Sequence, residues 1–128
     1  MSSELAILAL YALLIFVVIL VQVLIATPKV GLSTLAGPRD DMGEPPVLVG
    51  RAQRTIDNCV TGMATFAPAI LILAAQGAFT ATTLLLAQVF LIARVIYAVV
   101  YLAGIPWVRT LAWLTAFAAN AWLLLLCL

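Results

Sequence analysis

The sequence predicts an all-α integral membrane protein, a four-transmembrane-helix up-down bundle forming one domain over residues 1–128. Three observations predict it. Of the 128 residues, 66% are hydrophobic and only 9% charged, too few to coat a soluble domain of this size. Four apolar stretches each reach the roughly 20 residues that a helix needs to cross the hydrocarbon. Between them lie short turns or segments rich in glycine and proline.

The first span runs from about Leu5 to Ala26 and carries no charge. It is too long for the apolar region of a signal peptide, its start is acidic (Glu4) rather than basic, and three more spans follow. It is therefore expected to be retained. Residues 27–48 are expected to be a cytoplasmic loop, punctuated by Pro28, Gly31, Gly37, Pro38, Gly43, Pro45 and Pro46 and charged at Arg39, Asp40, Asp41 and Glu44. The second helix is predicted over 49–75, with polar residues crowded into its first turns and Pro68 expected to bend it. Gln76–Thr80 is a short turn. The third helix is predicted over 81–103, ended by Gly104, Ile105 and Pro106, and the fourth over 107–128.

The charge distribution sets the expected orientation. All six basic residues, Lys29, Arg39, Arg51, Arg54, Arg94 and Arg109, fall on the side of the first and third loops or in the adjoining half-helices. The positive-inside rule then places that side in the cytoplasm and both termini on the other side. A net charge of +1 gives no reason to expect a nucleic-acid partner. The chain has no histidine, which excludes histidine-ligated metals, histidine bases and serine–histidine triads, and no metal site is expected. Cys59 and Cys127 form no metal or redox motif. They sit at opposite ends of their spans, too far apart for a disulfide.

Charges within spans are costly and mark function by default. Arg51, Arg54, Asn58 and Thr61 are spaced by three, four and three residues, which makes one helical stripe. Asp57 lies beside it and is placed to pair with Arg54. Arg94, Tyr97 and Tyr101 make a second stripe. Arg109 and Thr110 open the fourth helix, and Asn120, eleven residues on, shares nearly the same face as Arg109. Three helices thus bring polar stripes to one depth, rich in donors and poor in acceptors. Such a site suits a carboxylate-bearing ligand, because guanidinium and carboxylate form paired hydrogen bonds. Other roles fit some of these residues. Arg51 and Arg54 also suit interfacial anchors, Tyr97 and Tyr101 an aromatic belt, and Arg94 a structural ion pair with Asp57. Tyr11, Trp107, Trp113 and Trp122 are read as lipid-interface or packing residues. Gln22, Gln53, Gln88 and Asn120 are read as interhelical hydrogen-bonding residues.

At these residues the chain resembles the MAPEG family, the membrane-associated proteins in eicosanoid and glutathione metabolism, and within it the bacterial members. Gly50-Arg-Ala-Gln-Arg-Thr-Ile-Asp-Asn58 is similar to the family's Arg-Ala-x-Arg-x-x-x-Asn motif. Ala93-Arg-Val-Ile-Tyr97-Ala-Val-Val-Tyr101-Leu-Ala-Gly-Ile-Pro106-Trp-Val-Arg109-Thr110 is similar to its Arg-x-x-Tyr-x-x-x-Tyr run and following arginine. Pro38-Arg-Asp-Asp41 also resembles the bacterial members. The resemblance implies a homotrimer in the bacterial inner membrane, with glutathione bound between neighbouring subunits near the cytoplasmic face. It implies that Arg51, Arg54, Asn58, Arg94, Tyr97, Tyr101 and Arg109 bind the tripeptide, with Thr110 beside them, and that Arg109 is the catalytic residue that stabilises the thiolate. Many members carry a glutamate three residues after the asparagine; here Thr61 stands there, with Asp57 the adjacent carboxylate able to replace it. The implied activity is glutathione transfer or peroxidation, with a lipophilic electrophile or hydroperoxide drawn from membrane lipid. A non-catalytic lipid-binding or scaffold member is the alternative. A small multidrug-type exporter ranks below both, because residues 5–26 lack the membrane-embedded carboxylate that would couple protons.

Overall fold

A computed structural model describes residues 3–38, 43 and 46–128. The expected loop charges Arg39, Asp40, Asp41 and Glu44 lie outside the described residues, as does most of the Pro38–Asp41 segment. The order is α1 (Glu4–Val30), α2 (Leu32–Ala36), α3 (Val47–Ala75), α4 (Ala81–Ala103) and α5 (Pro106–Leu126), with no strand among the described residues. Four of these helices, α1, α3, α4 and α5, are long and apolar enough to cross a membrane. The chain is built as an integral, multi-pass membrane protein.

The short connections are set by local chemistry. At the end of α3, Ala78 N–H donates to the Leu73 carbonyl and Gly77 N–H to that of Ala74. At the end of α4, Ile105 N–H donates to Val100 and Gly104 N–H to Tyr101. Both are paired 6→1 and 5→2 closures, and Gly104 enters the left-handed region at φ +79°, where a side chain would be strained. Thr80 then caps α4 through a reciprocal bond with Thr83. Pro106 starts α5 at a position where a missing N–H costs nothing.

The structure departs from expectation at the first loop. Helix α1 continues through Pro28 to Val30, and α2 occupies 32–36, within the stretch expected to be loop from residue 27. Proline removes only one ladder bond in a last turn, and the Thr27 hydroxyl donates to the Val23 carbonyl at 2.7 Å beside it. The helix ends instead at Gly31, whose N–H closes on the Thr27 carbonyl.

The core lies where α1, α3 and α4 meet. Phe66 stacks on Phe90 with ring centroids 4.0 Å apart, and Tyr11 stands edge-on to both, at 5.8 and 4.9 Å. Gly62 permits this approach: a Cβ there would stand 2.7 Å from the Tyr11 hydroxyl. Tyr11 donates to the Cys59 carbonyl at 2.5 Å, closing the polar end of the ring inside the bundle. At the other end of the bundle the Thr83 hydroxyl donates at 2.6 Å to Glu4, which is buried. Helix α5 is fastened to α3 by Asn120 Nδ2 donating to Thr65 at 2.6 Å and by Gln76 Nε2 donating to the Cys127 carbonyl at 3.0 Å. Both cysteines are free. Cys127 reaches the Ala69 carbonyl, ten residues along α3 from Cys59, about 15 Å of helix.

Candidate functional site

Helix α4 is the most enclosed of the four long helices and supplies the middle of the site. Arg94, Tyr97 and Tyr101 share its inner face; Arg94 and Tyr97 are buried and Tyr101 is half-buried. From them runs a chain of contacts between guanidinium and phenol groups. Arg94 lies 4.6 Å from the Tyr97 ring centre, and the Tyr97 and Tyr101 rings are 5.4 Å apart. Arg109 of α5 lies 4.8 Å from the Tyr101 ring centre. Arg54 of α3 donates from Nε to the Tyr101 hydroxyl at 2.9 Å. Asn58, one turn further along α3, accepts from Arg94 Nη1 at 3.4 Å. Arg54, Asn58, Arg94, Tyr97, Tyr101 and Arg109, drawn from the three stripes read in the sequence, therefore meet in one cluster.

Two pockets open on this cluster. The outer one, about 280 Å³, is lined by Asn58, Tyr97, Tyr101, Arg109, Thr110 and Trp113. The inner one, about 200 Å³, is a crevice between α3 and α5 that includes Asn58, Thr61, Arg94, Trp113 and Asn120. Asn58 and Trp113 line both, so the pockets adjoin. Trp113 lines both pockets, although the sequence suggested a lipid-interface or packing role. Its place in an apolar run gave no signal, and only its four-residue spacing from Arg109 hinted at a shared face.

Some expected members stand elsewhere. Asp57 lines neither pocket and accepts from Gln53 Nε2 at 3.0 Å on its own helix. The expected Asp57–Arg54 and Asp57–Arg94 pairs are therefore not formed: Arg54 reaches across to Tyr101 instead, and Gln53 bonds within α3 rather than between helices. The Thr61 hydroxyl donates to the Asp57 carbonyl at 2.8 Å, and Thr110 to that of Pro106 at 3.2 Å, so both spend their protons on their own helices. Arg51 is turned toward the end of α4. A Cβ on Gly104 would lie 2.8 Å from its Nη1, so its guanidinium rests against that helix's carbonyl end, where a cation is favoured.

Fold and site together define a four-span membrane protein in which Arg54, Arg94 and Arg109 lie against phenols and an amide, with Arg94 buried in the bundle. The chain belongs to the MAPEG family, whose model matches residues 4–128. Membership associates it with the glutathione- and eicosanoid-related functions of that family, which has both catalytic and non-catalytic members. No curated protein and no solved structure matches the chain significantly.

Proposed function

We propose that the protein is a membrane glutathione transferase, with peroxidase capacity, working as a homotrimer of up-down bundles with both termini outside the cytoplasm. The observation that carries this reading is Arg109 beside Tyr101 in the lining of the outer pocket, with Arg54 donating to the hydroxyl of the same phenol. Several donors face one space there, which suits a tripeptide bearing two carboxylates and a thiol. Arg54, Asn58, Tyr97, Tyr101 and Thr110 hold the tripeptide in this reading. Arg109 stabilises the thiolate, since a guanidinium near a thiol favours its charged form. In transfer, the sulfur forms a bond to the electrophilic carbon and the leaving group departs with the bonding pair. In peroxidation, two glutathiones are oxidised to the disulfide while a hydroperoxide becomes an alcohol and water. Assembly fits the polar stripe of α3, where Gln53, Arg54, Asp57 and Thr61 are all exposed. A polar stripe of that kind does not face lipid and calls for a neighbour.

One observation favours the non-catalytic alternative. Among the described residues no carboxylate lines either pocket: Thr61 stands at the position of the usual glutamate and Asp57 is turned to Gln53. The deciding experiment is conjugation of glutathione to 1-chloro-2,4-dinitrobenzene by detergent-purified protein, wild type against Arg109→Ala. The expected result is measurable turnover that falls by about a hundredfold or more in the variant, the scale for losing one charge-stabilising group. A wild type that neither turns over nor binds glutathione would establish the non-catalytic reading. An equally active variant would remove Arg109 from the chemistry.

A further inference from the structure

The Tyr11 hydroxyl stands where α1, α3 and α4 meet, and the stacking of the core uses only its ring. Tyr11 is fully buried, and α1 lends no residue to either pocket. The hydroxyl has one proton, which goes to the Cys59 carbonyl. That carbonyl lies in the middle of α3, where the helix ladder already supplies a donor, so α3 does not need the bond. With its proton committed, the phenol oxygen offers lone pairs to anything else beside it. What lies beside it is the Arg94 guanidinium, within hydrogen-bonding reach. Gly62 shows how near the two groups stand. A Cβ there would lie 2.7 Å from the Tyr11 hydroxyl and 3.8 Å from Arg94 Cζ. Arg94 is itself buried, and among the described residues its Nε and Nη2 bond to no other group.

Arg94 carries this contact on to the site. Its Nη1 donates to Asn58 Oδ1 at 3.4 Å. A guanidinium has donors and no acceptor, so the Asn58 amide turns its oxygen to Arg94 and its NH2 away. Asn58 lines both pockets, and what it presents to them is therefore an N–H donor. The path from the Cys59 carbonyl through Tyr11 and Arg94 to Asn58 returns to the neighbouring residue of the same helix. It is a polar ring across three helices, with the Tyr97 ring 4.6 Å from Arg94 Cζ. A ring face leaves a guanidinium free to turn in its own plane, and one long bond at Nη1 restrains that turn weakly. An acceptor fixed in the core supplies the second hold.

We infer that Tyr11 is a positioning residue for the site: from a helix that lines neither pocket, its hydroxyl holds Arg94, and Arg94 holds the Asn58 amide with its donor toward the ligand. The consequence for glutathione rests on the transferase reading; the contact itself does not. The variant is Tyr11→Phe, which keeps the packed ring and removes only the oxygen. Two measurements on detergent-purified protein test it. The first is the nitrogen-15 NMR spectrum of side-chain N–H groups, which needs no ligand. Tyr11→Phe should shift the Arg94 Nε signal and the Asn58 Nδ2 signals and leave that of Arg51 in place. The second is glutathione affinity by calorimetry, with kcat for conjugation alongside. Tyr11→Phe should weaken binding about fivefold, the scale of one hydrogen bond, with kcat within about twofold. In an Asn58→Ala background the same change should weaken binding by less than about twofold, because Tyr11 acts through that amide. A role in general stability would give losses that multiply. Unmoved Arg94 and Asn58 signals overturn the inference, and so do unchanged glutathione affinity in Tyr11→Phe or fully multiplicative losses. If the wild type binds no glutathione, the transferase reading falls, and the NMR signals alone decide Tyr11: shifted, they uphold the contact; unmoved, they overturn it.

Discussion

At the residue scale the choice of partners for the arginines matters most. Arg54, Arg94 and Arg109 are held by Tyr101, Tyr97 and Asn58 rather than by acids. A phenol ring or an amide oxygen orients a guanidinium without cancelling its charge, so the positive field remains available to an anion. Tyr101→Phe tests this, because it keeps the ring and removes only the oxygen that accepts from Arg54. Under the transferase reading the KM for glutathione should rise about fivefold, near 1 kcal/mol for a half-exposed bond, with kcat within about twofold. An unchanged KM would show that the hydroxyl does not set Arg54. The core offers a second test. Gly62→Ala drives a methyl into the Tyr11 hydroxyl and should cost about 1–3 kcal/mol in detergent, read as a lowered Tm by circular dichroism. Adding Tyr11→Phe removes the obstructing oxygen and should restore part of the loss; two costs that simply add would contradict the contact. Of these residues, the arginines, with Tyr97 and Tyr101 in step with them, were legible in the sequence because charge in an apolar span stands out at helical spacing. Tyr11 and Trp113 were not, because an aromatic in an apolar run looks the same whether it packs, anchors or lines a pocket.

At the scale of elements, helix ends were easier to read than loops. Gly77–Thr80 and Gly104–Pro106 stop one helix and start the next by backbone chemistry local to a few residues. The 27–48 stretch misled, because proline and glycine were weighed as equal breakers. A proline in a last turn costs little, so α1 ran on to Gly31. Gly104 also ties α3 to α4, since the cap that ends α4 receives Arg51. Gly104→Ala should cost about 1–2 kcal/mol for the left-handed backbone, plus the displacement of Arg51. Unfolding of the single and double variants in detergent should then show Gly104→Ala and Arg51→Ala to be less than additive. Strict additivity would place Arg51 off the cap.

At the scale of the whole molecule, the outside is apolar wherever lipid is expected: Phe16, Leu24, Val99 and Leu125 are all more than 60% exposed. The exception is the polar face of α3. If that face is covered by neighbours, native mass spectrometry from mild detergent should show three chains. Arg54→Leu, which makes the stripe more apolar, should leave the mass unchanged if α3 packs on protein. Monomers or dimers alone would contradict the trimer.

Composition and periodicity by themselves determined the four spans and the single face that Arg94, Tyr97 and Tyr101 share on α4. Those properties depend only on apolar length and on the 3.6-residue repeat. Which side chains meet was decided by the tertiary structure, because pairing depends on how far one helix is shifted and turned against the next. That packing gave Arg54 to Tyr101, set Asp57 against Gln53, laid Arg51 on Gly104 and put Arg94 between Asn58 and the Tyr97 ring. A guanidinium in a span is visible to any reader of the sequence; whether its hydrogen bonds are met is settled only by the neighbours that packing supplies.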